Sequence, residues 1–202
     1  MGIVAPVAVR WEEGESPRHV EMKRSIANGL AHFWPETEVR TLGGKRRADI
    51  VVRVPWIDLP VAIEVQRSKM QIKEYRARER DYAQARSNGR GMFTLWILER
   101  EAVDPNSPLE VGYERPVSGA FAMRRIACAE IIDKGFVHVM DGNELQIVTA
   151  EEVTYPIYKR WERRFEHRNA IRITAVHPIP PPFDIGLRAD RYPRLMPKLD
   201  WA

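Results

Sequence analysis

Cysteine is nearly absent from this chain of 202 residues, in which Cys128 is the only one. A single cysteine excludes a disulfide within the chain and a zinc site built from cysteines. We interpret Cys128 as a core residue of the segment IACAEII, because no activating arrangement for a nucleophile surrounds it in the sequence. No zinc-like spacing relates the five histidines, which are His19, His32, His138, His167 and His177. We therefore expect no structural metal.

Long apolar runs are also missing. No run approaches the roughly 20 residues that a membrane helix needs. The first residues, MGIVAPVAVRWEEGE, lack the leading basic region and the small-residue cleavage pattern of a secretion signal. With 44% hydrophobic and 30% charged residues, the composition is that of an ordinary globular protein. We expect a soluble, cytoplasmic protein without a membrane partner.

Positive charge is concentrated in one segment, although the net charge is only +4. Between Arg67 and Arg90, eight Lys or Arg residues stand against three acids. A phosphate-bearing partner would explain this basic face, and so would a solvated helix surface. Charge alone leaves both open.

The first half of the chain has the pattern of an α/β fold. Ser16 followed by Pro17 predicts a capped helix that ends before Pro35. Three strands follow, then a helix from about Gln71 to Arg86 and the apolar strand MFTLWIL. This order predicts a mixed sheet flanked by helices, with residues 1–100 as its core.

The second half is divided into an extension, residues 101–175, and a proline-rich tail, residues 176–202. In the extension we predict a helix near 119–134, then a hairpin formed by GFVHVM and ELQIVT. The segment YPIYKRWERRFEHR predicts a basic helix with a stripe of Tyr158, Trp161 and Phe165. That stripe either packs on the protein or stacks on bases. The tail is too rich in proline for regular structure to be expected.

The strand VAIEVQ carries polar side chains on one side. Glu64 and Gln66 alternate with apolar residues, which a half-exposed strand would also show. Asp49 lies on the preceding predicted strand, so a hairpin of the two strands would bring three oxygen-bearing groups together. Carboxylate oxygens are the ligands that Mg²⁺ prefers, with Mn²⁺ as the alternative ion. Such a site suits phosphodiester hydrolysis.

Several segments in order resemble the nuclease domain of the competence protein CoiA-like family, a branch of the PD-(D/E)XK nuclease superfamily. They are GESPRHVEMK, RRADI, AIEVQRS, Arg78 with Tyr82, and TLWIL. The resemblance implies a restriction-endonuclease-like core of helix, three-stranded meander, helix and strand, with a C-terminal helix and hairpin extension. It also implies Asp49 and Glu64 as metal ligands. Longer relatives carry an N-terminal region with Cys and His that this chain does not show, so a role in DNA uptake does not follow.

By this resemblance, Gln66 takes the position of the superfamily's motif lysine. An amide can orient the attacking water, but it cannot neutralise negative charge as an ammonium does. We therefore expect another cation to help, and Lys23 lies one helical turn after His19 on the first helix. The alternative is an exposed pair on a solvated helix. Glu15 is a further possible ligand or an ordinary surface acid.

Nucleic-acid contacts are expected from basic and polar residues around this site. Arg78 and Tyr82, one turn apart, either orient the site or clamp a phosphate, or else pack without such a role. Ser68 either bonds the substrate backbone or caps the next helix. The predicted binding residues are Arg46, Arg47, Arg67, Ser68, Lys69, Arg78 and Tyr82.

The sequence thus predicts a magnesium- or manganese-dependent nuclease acting on single-stranded, duplex or branched DNA. A homodimer is a further expectation, because cutting two strands needs two sites. One alternative is a nucleic-acid-binding scaffold in recombination or competence that has the nuclease fold without catalysis. Another is a phage-borne or homing endonuclease.

Overall fold

The computed structural model describes residues 14–41, 46–67, 70–84, 91–100, 114–116, 124–188 and 192–198. In this part of the chain, helices lie on both faces of an eight-stranded sheet, and a separate two-stranded hairpin packs beside it. The helices are α1 (Pro17–Gly29), α2 (Ile72–Gln84) and α3 (Arg124–Lys134), with a 3₁₀ turn at Ala31–Phe33. The strands are β1 (Glu36–Arg40), β2 (Arg47–Val52), β3 (Val61–Gln66), β4 (Phe93–Glu99), β5 (Glu114–Pro116), β6 (Phe136–Asp141), β7 (Glu144–Lys159), β8 (Arg164–Pro178), β9 (Phe183–Arg188) and β10 (Tyr192–Pro197).

Helix α1 begins as the sequence predicts. The Ser16 side chain accepts a hydrogen bond from the backbone N–H of His19 at 3.2 Å, and Pro17 takes the first helical position. The apolar side chains of Val20, Ile26 and Ala27 are buried. Helix α1 is therefore fixed at its N-terminus by a cap and along its length by packing on the sheet.

The sheet has the strand order β1-β2-β3-β4-β6-β7-β8-β5. Only the β3/β4 and β4/β6 pairs are parallel among the described strands, so the sheet is mostly antiparallel. The predicted order of helix, three strands, helix and strand is confirmed, as is the α/β class. The β6/β7 hairpin is confirmed too, and its turn contains Gly142 at φ 55°.

Strand β4 is covered on both faces, as its continuous apolar run predicts. Leu95 and Ile97 face the core beneath α1 and the β9/β10 hairpin, whereas Trp96 and Leu98 face the core beneath α2 and α3. None of the helices in the described ranges combines the length and apolar character needed to cross a bilayer.

The prediction of a basic helix at YPIYKRWERRFEHR is wrong. Strands β7 and β8 continue through this segment as one long hairpin that pairs Tyr158 with Phe165. The residues Val153, Tyr155 and Ile157 alternate along β7, and β-branched and aromatic residues favour strands. The period of two in this run outweighs the helical spacing of the aromatic side chains.

The prediction that the proline-rich end lacks regular structure is also wrong. Strands β9 and β10 form an antiparallel hairpin in which Ile185 pairs with Leu195. Both side chains are buried, as is that of Phe183, so the hairpin completes the core on the α1 side. Prolines are tolerated because this ribbon has only two strands. Each strand has one edge without a partner strand, and a proline that lacks its N–H on that edge loses no ladder hydrogen bond.

The helix predicted near 119–134 is present as α3 from Arg124 onwards. Its predicted first residues, 119–123, lie outside the described residues, and so does the side chain of Cys128. In α2, Tyr75 and Tyr82 are buried, whereas Ala83 is exposed.

Candidate functional site

Three polar residues lie at the N-terminal end of α1. His19 and Lys23 are one turn apart on the helix, and Glu15 lies just before the N-cap Ser16. His19 Nε2 lies 3.5 Å from Glu15 Oε1 and 3.4 Å from Asp49 Oδ1 on β2. One donor atom from each of Glu15, His19 and Asp49 lies within 4.8 Å of the others. This group is therefore compact enough to hold a metal ion.

Asp49 is oriented by the neighbouring strand. Its Oδ2 accepts a hydrogen bond from the backbone N–H of Val65 at 2.8 Å, while its Oδ1 faces His19. The predicted hairpin of β2 and β3 is confirmed, since Ile50 pairs with Ile63 in antiparallel register. The carboxylate of Asp49 is thus held against β3 at the residue that follows Glu64.

Lys23 is fully buried, and carboxylates surround its ammonium group. Its Nζ lies 2.6 and 2.8 Å from the two oxygens of Glu15, and it also donates to Glu38. Burial acts to lower the pKa of Lys23, but the hydrogen bonds to Glu15 and Glu38 outweigh it and raise the pKa. Lys23 is therefore a buried cation and not an exposed side chain on a solvated helix.

Glu38 has an unusual backbone conformation. Its φ is 57°, in the left-handed region that residues with a Cβ rarely adopt. The β1/β2 register places it opposite Asp49, because Thr37 pairs with Ile50 and Val39 with Ala48. Burial raises the pKa of Glu38, although Lys23 acts to lower it. Backbone strain of this kind is typical of functional sites.

Glu64 is buried on the α2 side of β3 and is held by two residues of that helix. Arg78 Nη1 donates to its Oε2 at 2.8 Å, and the Tyr82 hydroxyl donates to its Oε1. Burial, followed by the negative charge of Asp49, raises the pKa of Glu64 to about 7, against the opposing effect of Arg78 and Tyr82. Asp49 and Glu64 are therefore electrostatic neighbours.

The remaining predicted residues lie around these groups. Gln66 is buried at the end of β3 and, two residues from Glu64, shares its side of the strand. Arg46 pairs with Asp81 at 2.7 Å and with Glu74 at 2.9 Å on α2. Arg47 pairs with Glu38 at 2.7 Å, and Arg67 pairs with Glu99 at 2.6 Å. Ser68 and Lys69 lie outside the described residues.

Each described arginine that the sequence assigned to nucleic acid thus contacts a carboxylate of the protein. Arginine has several N–H donors, so such contacts leave further donors for a phosphate. The pairs fix where those donors point.

The sequence leaves Glu15 open between a ligand and a surface acid, and it does not identify Glu38 as part of the site. The spacing of Glu15, His19 and Lys23 was the available signal, because His19 and Lys23 share one face of the predicted helix and Glu15 lies just before its cap. Glu38 gave no signal, since an acid in a short edge strand is normally solvated.

Comparison with known proteins places the matched region of this fold among nuclease-like domains. Residues 15–114 match the family model of the competence protein CoiA, nuclease-like domain, and thereby confirm the resemblance seen in the sequence. The matched residues make up just under half of the chain. No curated protein and no solved structure shows significant similarity to the chain. The family supports a nuclease role for the region that contains Glu15, Asp49 and Glu64.

Proposed function

We propose that this protein is a metal-dependent nuclease that hydrolyses phosphodiester bonds in DNA. The observation that carries the proposal is the group of Glu15, His19 and Asp49, whose donor atoms lie within 4.8 Å of one another. Asp49 accepts a hydrogen bond from the backbone N–H of Val65, the residue after Glu64. Glu15, His19, Asp49 and Glu64 all lie in the region that matches a nuclease-like family.

The donor set fits a divalent ion. Asp49 and Glu64 would supply oxygen ligands, which Mg²⁺ prefers, and Glu15 would add further carboxylate oxygens. His19 supplies an imidazole nitrogen, a ligand of transition-metal ions, so Mn²⁺ suits the complete set better than Mg²⁺ does. When bound, such an ion polarises the phosphoryl group and lowers the pKa of a bound water.

The protein's own residues would prepare the site for this chemistry. Gln66 would orient the attacking water through its amide. Lys23 would offset negative charge as the phosphate enters, and Glu15 and Glu38 hold it in place. Arg78 and Tyr82 would fix the orientation of Glu64, which they already contact. In this proposal both act as positioning residues.

A second candidate is a nucleic-acid-binding scaffold that does not cut. The observation in its favour is that both oxygens of Glu64 already accept hydrogen bonds, one from Arg78 and one from Tyr82. The glutamine at the motif-lysine position agrees with it. Against it stands the clustering of acids, because carboxylates repel phosphates and a pure binder gains nothing from them.

Cleavage assays separate the two candidates. Single-stranded, duplex and branched DNA are incubated with the full chain, with Mg²⁺, Mn²⁺ or EDTA, beside Asp49→Asn and Glu64→Gln. Glu36→Gln serves as the matched control, because Glu36 is an exposed acid on β1. Metal-dependent cutting that is lost in both site variants and retained in the control supports the nuclease. Binding without cutting by the parent protein supports the scaffold and rejects the nuclease.

A further inference from the structure

The β7/β8 hairpin continues past its neighbouring strands. Strand β6 pairs with β7 only as far as Thr149, and β5 pairs with β8 only over residues 170–172. Within the described part of the chain, residues 154–159 and 164–169 therefore pair only with each other. Six residues of strand span about 20 Å at roughly 3.3 Å per residue. The end of the hairpin is thus a two-stranded ribbon beyond the eight-stranded sheet.

The tip of this ribbon exposes large aromatic side chains. Trp161 in the turn is 96% exposed, Phe165 is 67% exposed and Tyr158 is 53% exposed. Tyr158 and Phe165 form a cross-strand ring pair with centroids 5.2 Å apart. Neighbouring aromatic side chains exposed to this extent are typical of binding surfaces, because burying them is otherwise favourable.

The same tip is strongly basic. The residues from 158 to 165, YKRWERRF, include four cations and one acid. Arg164 pairs with that acid, Glu162, at 2.6 Å. Arg160 and Arg163 are exposed on the turn beside Trp161. Basic side chains that alternate with exposed aromatic rings suit a partner with both phosphate charge and flat apolar faces.

We propose that the tip of the β7/β8 hairpin binds single-stranded nucleic acid, with Trp161 stacking on a base and Arg160 and Arg163 contacting phosphates. An unpaired strand is favoured over a duplex because only unpaired bases offer their faces to an aromatic side chain. The proposal deepens the proposed nuclease function by giving it a second contact with the substrate, outside the residues that match the family model. Anionic membranes share the negative charge but lack bases for stacking.

The test measures binding without cleavage. The full chain carrying Asp49→Asn is titrated in EDTA against a fluorescent single-stranded DNA, and binding is followed by anisotropy. Trp161→Ala is expected to weaken binding about tenfold, since stacking of one base contributes about 1–3 kcal/mol. Trp161→Phe should retain most of the affinity. Trp34→Ala is the matched control, because Trp34 is 84% exposed but lies outside the hairpin.

A second variant tests the charges. Arg160→Gln with Arg163→Gln should reduce the slope of log affinity against log salt concentration by about 1.4, since each phosphate contact on a single strand contributes about 0.7. Thermal melting of every variant checks the fold, and these exposed substitutions should leave the melting temperature unchanged.

Three results would overturn the proposal: no binding of single-stranded DNA by the parent protein, equal binding by the parent and both hairpin variants, or binding only to anionic lipid vesicles that the variants abolish. Failure of the nuclease proposal would look different. The parent protein, with Asp49 intact, would bind DNA but would show no metal-dependent cleavage.

Discussion

Glu64 and Glu130 are buried carboxylates in two different regions, yet both accept a hydrogen bond from a tyrosine of α2. Tyr82 donates to Glu64 and Tyr75 donates to Glu130. Each carboxylate also has a cationic neighbour. These cations are Arg78 for Glu64 at 2.8 Å and Lys134 for Glu130 at 2.8 Å.

The two carboxylates differ in their further neighbours. Lys134 is buried and also contacts the partly exposed Glu79, so Glu130 lies in a network that already contains its own buried cation. Glu64 instead lies beside the charge of Asp49, which in turn contacts His19. A buried acid with its own cation is a structural element, whereas neighbouring acids that share one site invite an added cation. We therefore assign Glu130 a role in stability and propose Glu64 as a metal ligand.

The largest expected effect is on stability at Glu130. Among the described residues, Glu130→Ala leaves the buried ammonium group of Lys134 with the more distant Glu79, at 3.3 Å, as its ion-pair partner. Breaking a buried pair in this way should lower the free energy of unfolding by about 3–5 kcal/mol. Urea unfolding measures this loss. Glu64→Gln should cost clearly less, because Arg78 is partly exposed and the repulsion from Asp49 is relieved. A larger loss for Glu64→Gln than for Glu130→Ala would contradict the structural role of Glu130.

The next effect is on catalysis at Glu64. Glu64→Gln and Asp49→Asn should each lower metal-dependent cleavage by at least about 100-fold, since even residues behind the ligands alter activity by about 10–100-fold. Glu130→Gln, assayed well below its melting temperature, should retain the parental rate. Initial rates on the preferred DNA substrate give the measurement. Equal losses in Glu64→Gln and Glu130→Gln would show that both effects arise from unfolding.

A third prediction uses the histidine near the Glu130 network. His138 is fully buried, and its Nε2 accepts the backbone N–H of Leu195 at 3.0 Å. Burial, followed by the charges of Lys134 and Arg194, lowers the pKa of His138 to about 3. Below about pH 6.5 the unfolded chain therefore binds a proton on His138 that the folded protein does not bind. Stability falls as the pH is lowered from about 6.5 to 3.

At pH 5 this histidine should cost about 2 kcal/mol of stability relative to pH 7. His138→Gln keeps an acceptor for Leu195 without a titrating group. Urea unfolding at both pH values should therefore show a smaller loss for the variant than for the parent protein. The same loss in both proteins would rule out His138 as the cause.

The smallest effects compare the two tyrosines. Tyr75→Phe and Tyr82→Phe each remove one hydroxyl that donates to a buried carboxylate, and each should lower stability by about 1–2 kcal/mol. Only Tyr82→Phe should also reduce cleavage, by about tenfold, because only Tyr82 positions a proposed ligand. The cleavage rate and the free energy of unfolding are measured for both variants. If Tyr75→Phe cleaves DNA more slowly while it is fully folded, the Glu130 network also affects catalysis, which contradicts a purely structural role for it.

The sequence predicted those features that local rules specify. Ser16 and Pro17 marked the start of α1, and the apolar run of β4 indicated a strand covered on both faces. The family resemblance singled out Arg78 and Tyr82 as residues near the site, although it did not predict their hydrogen bonds to Glu64. In each case a short segment of sequence carried the signal.

Features that depend on distant partners were not predictable. The burial of Lys23 requires Glu38, which lies on a different element and has an unusual φ. The network around Glu130 joins α2 to α3, and no local pattern links those segments. The β9/β10 hairpin forms despite its prolines because Ile185 and Leu195 find a core supplied by α1 and the sheet. Tertiary packing decided all three.

The most direct test of the account is Mn²⁺ binding measured by isothermal titration calorimetry in the absence of DNA. The parent protein should bind one ion per chain, and Asp49→Asn and Glu64→Gln should each weaken that affinity at least about tenfold. Glu130→Gln should bind as the parent does. If Glu64→Gln binds Mn²⁺ as tightly as the parent protein, Glu64 is not a ligand and the shared metal site is contradicted.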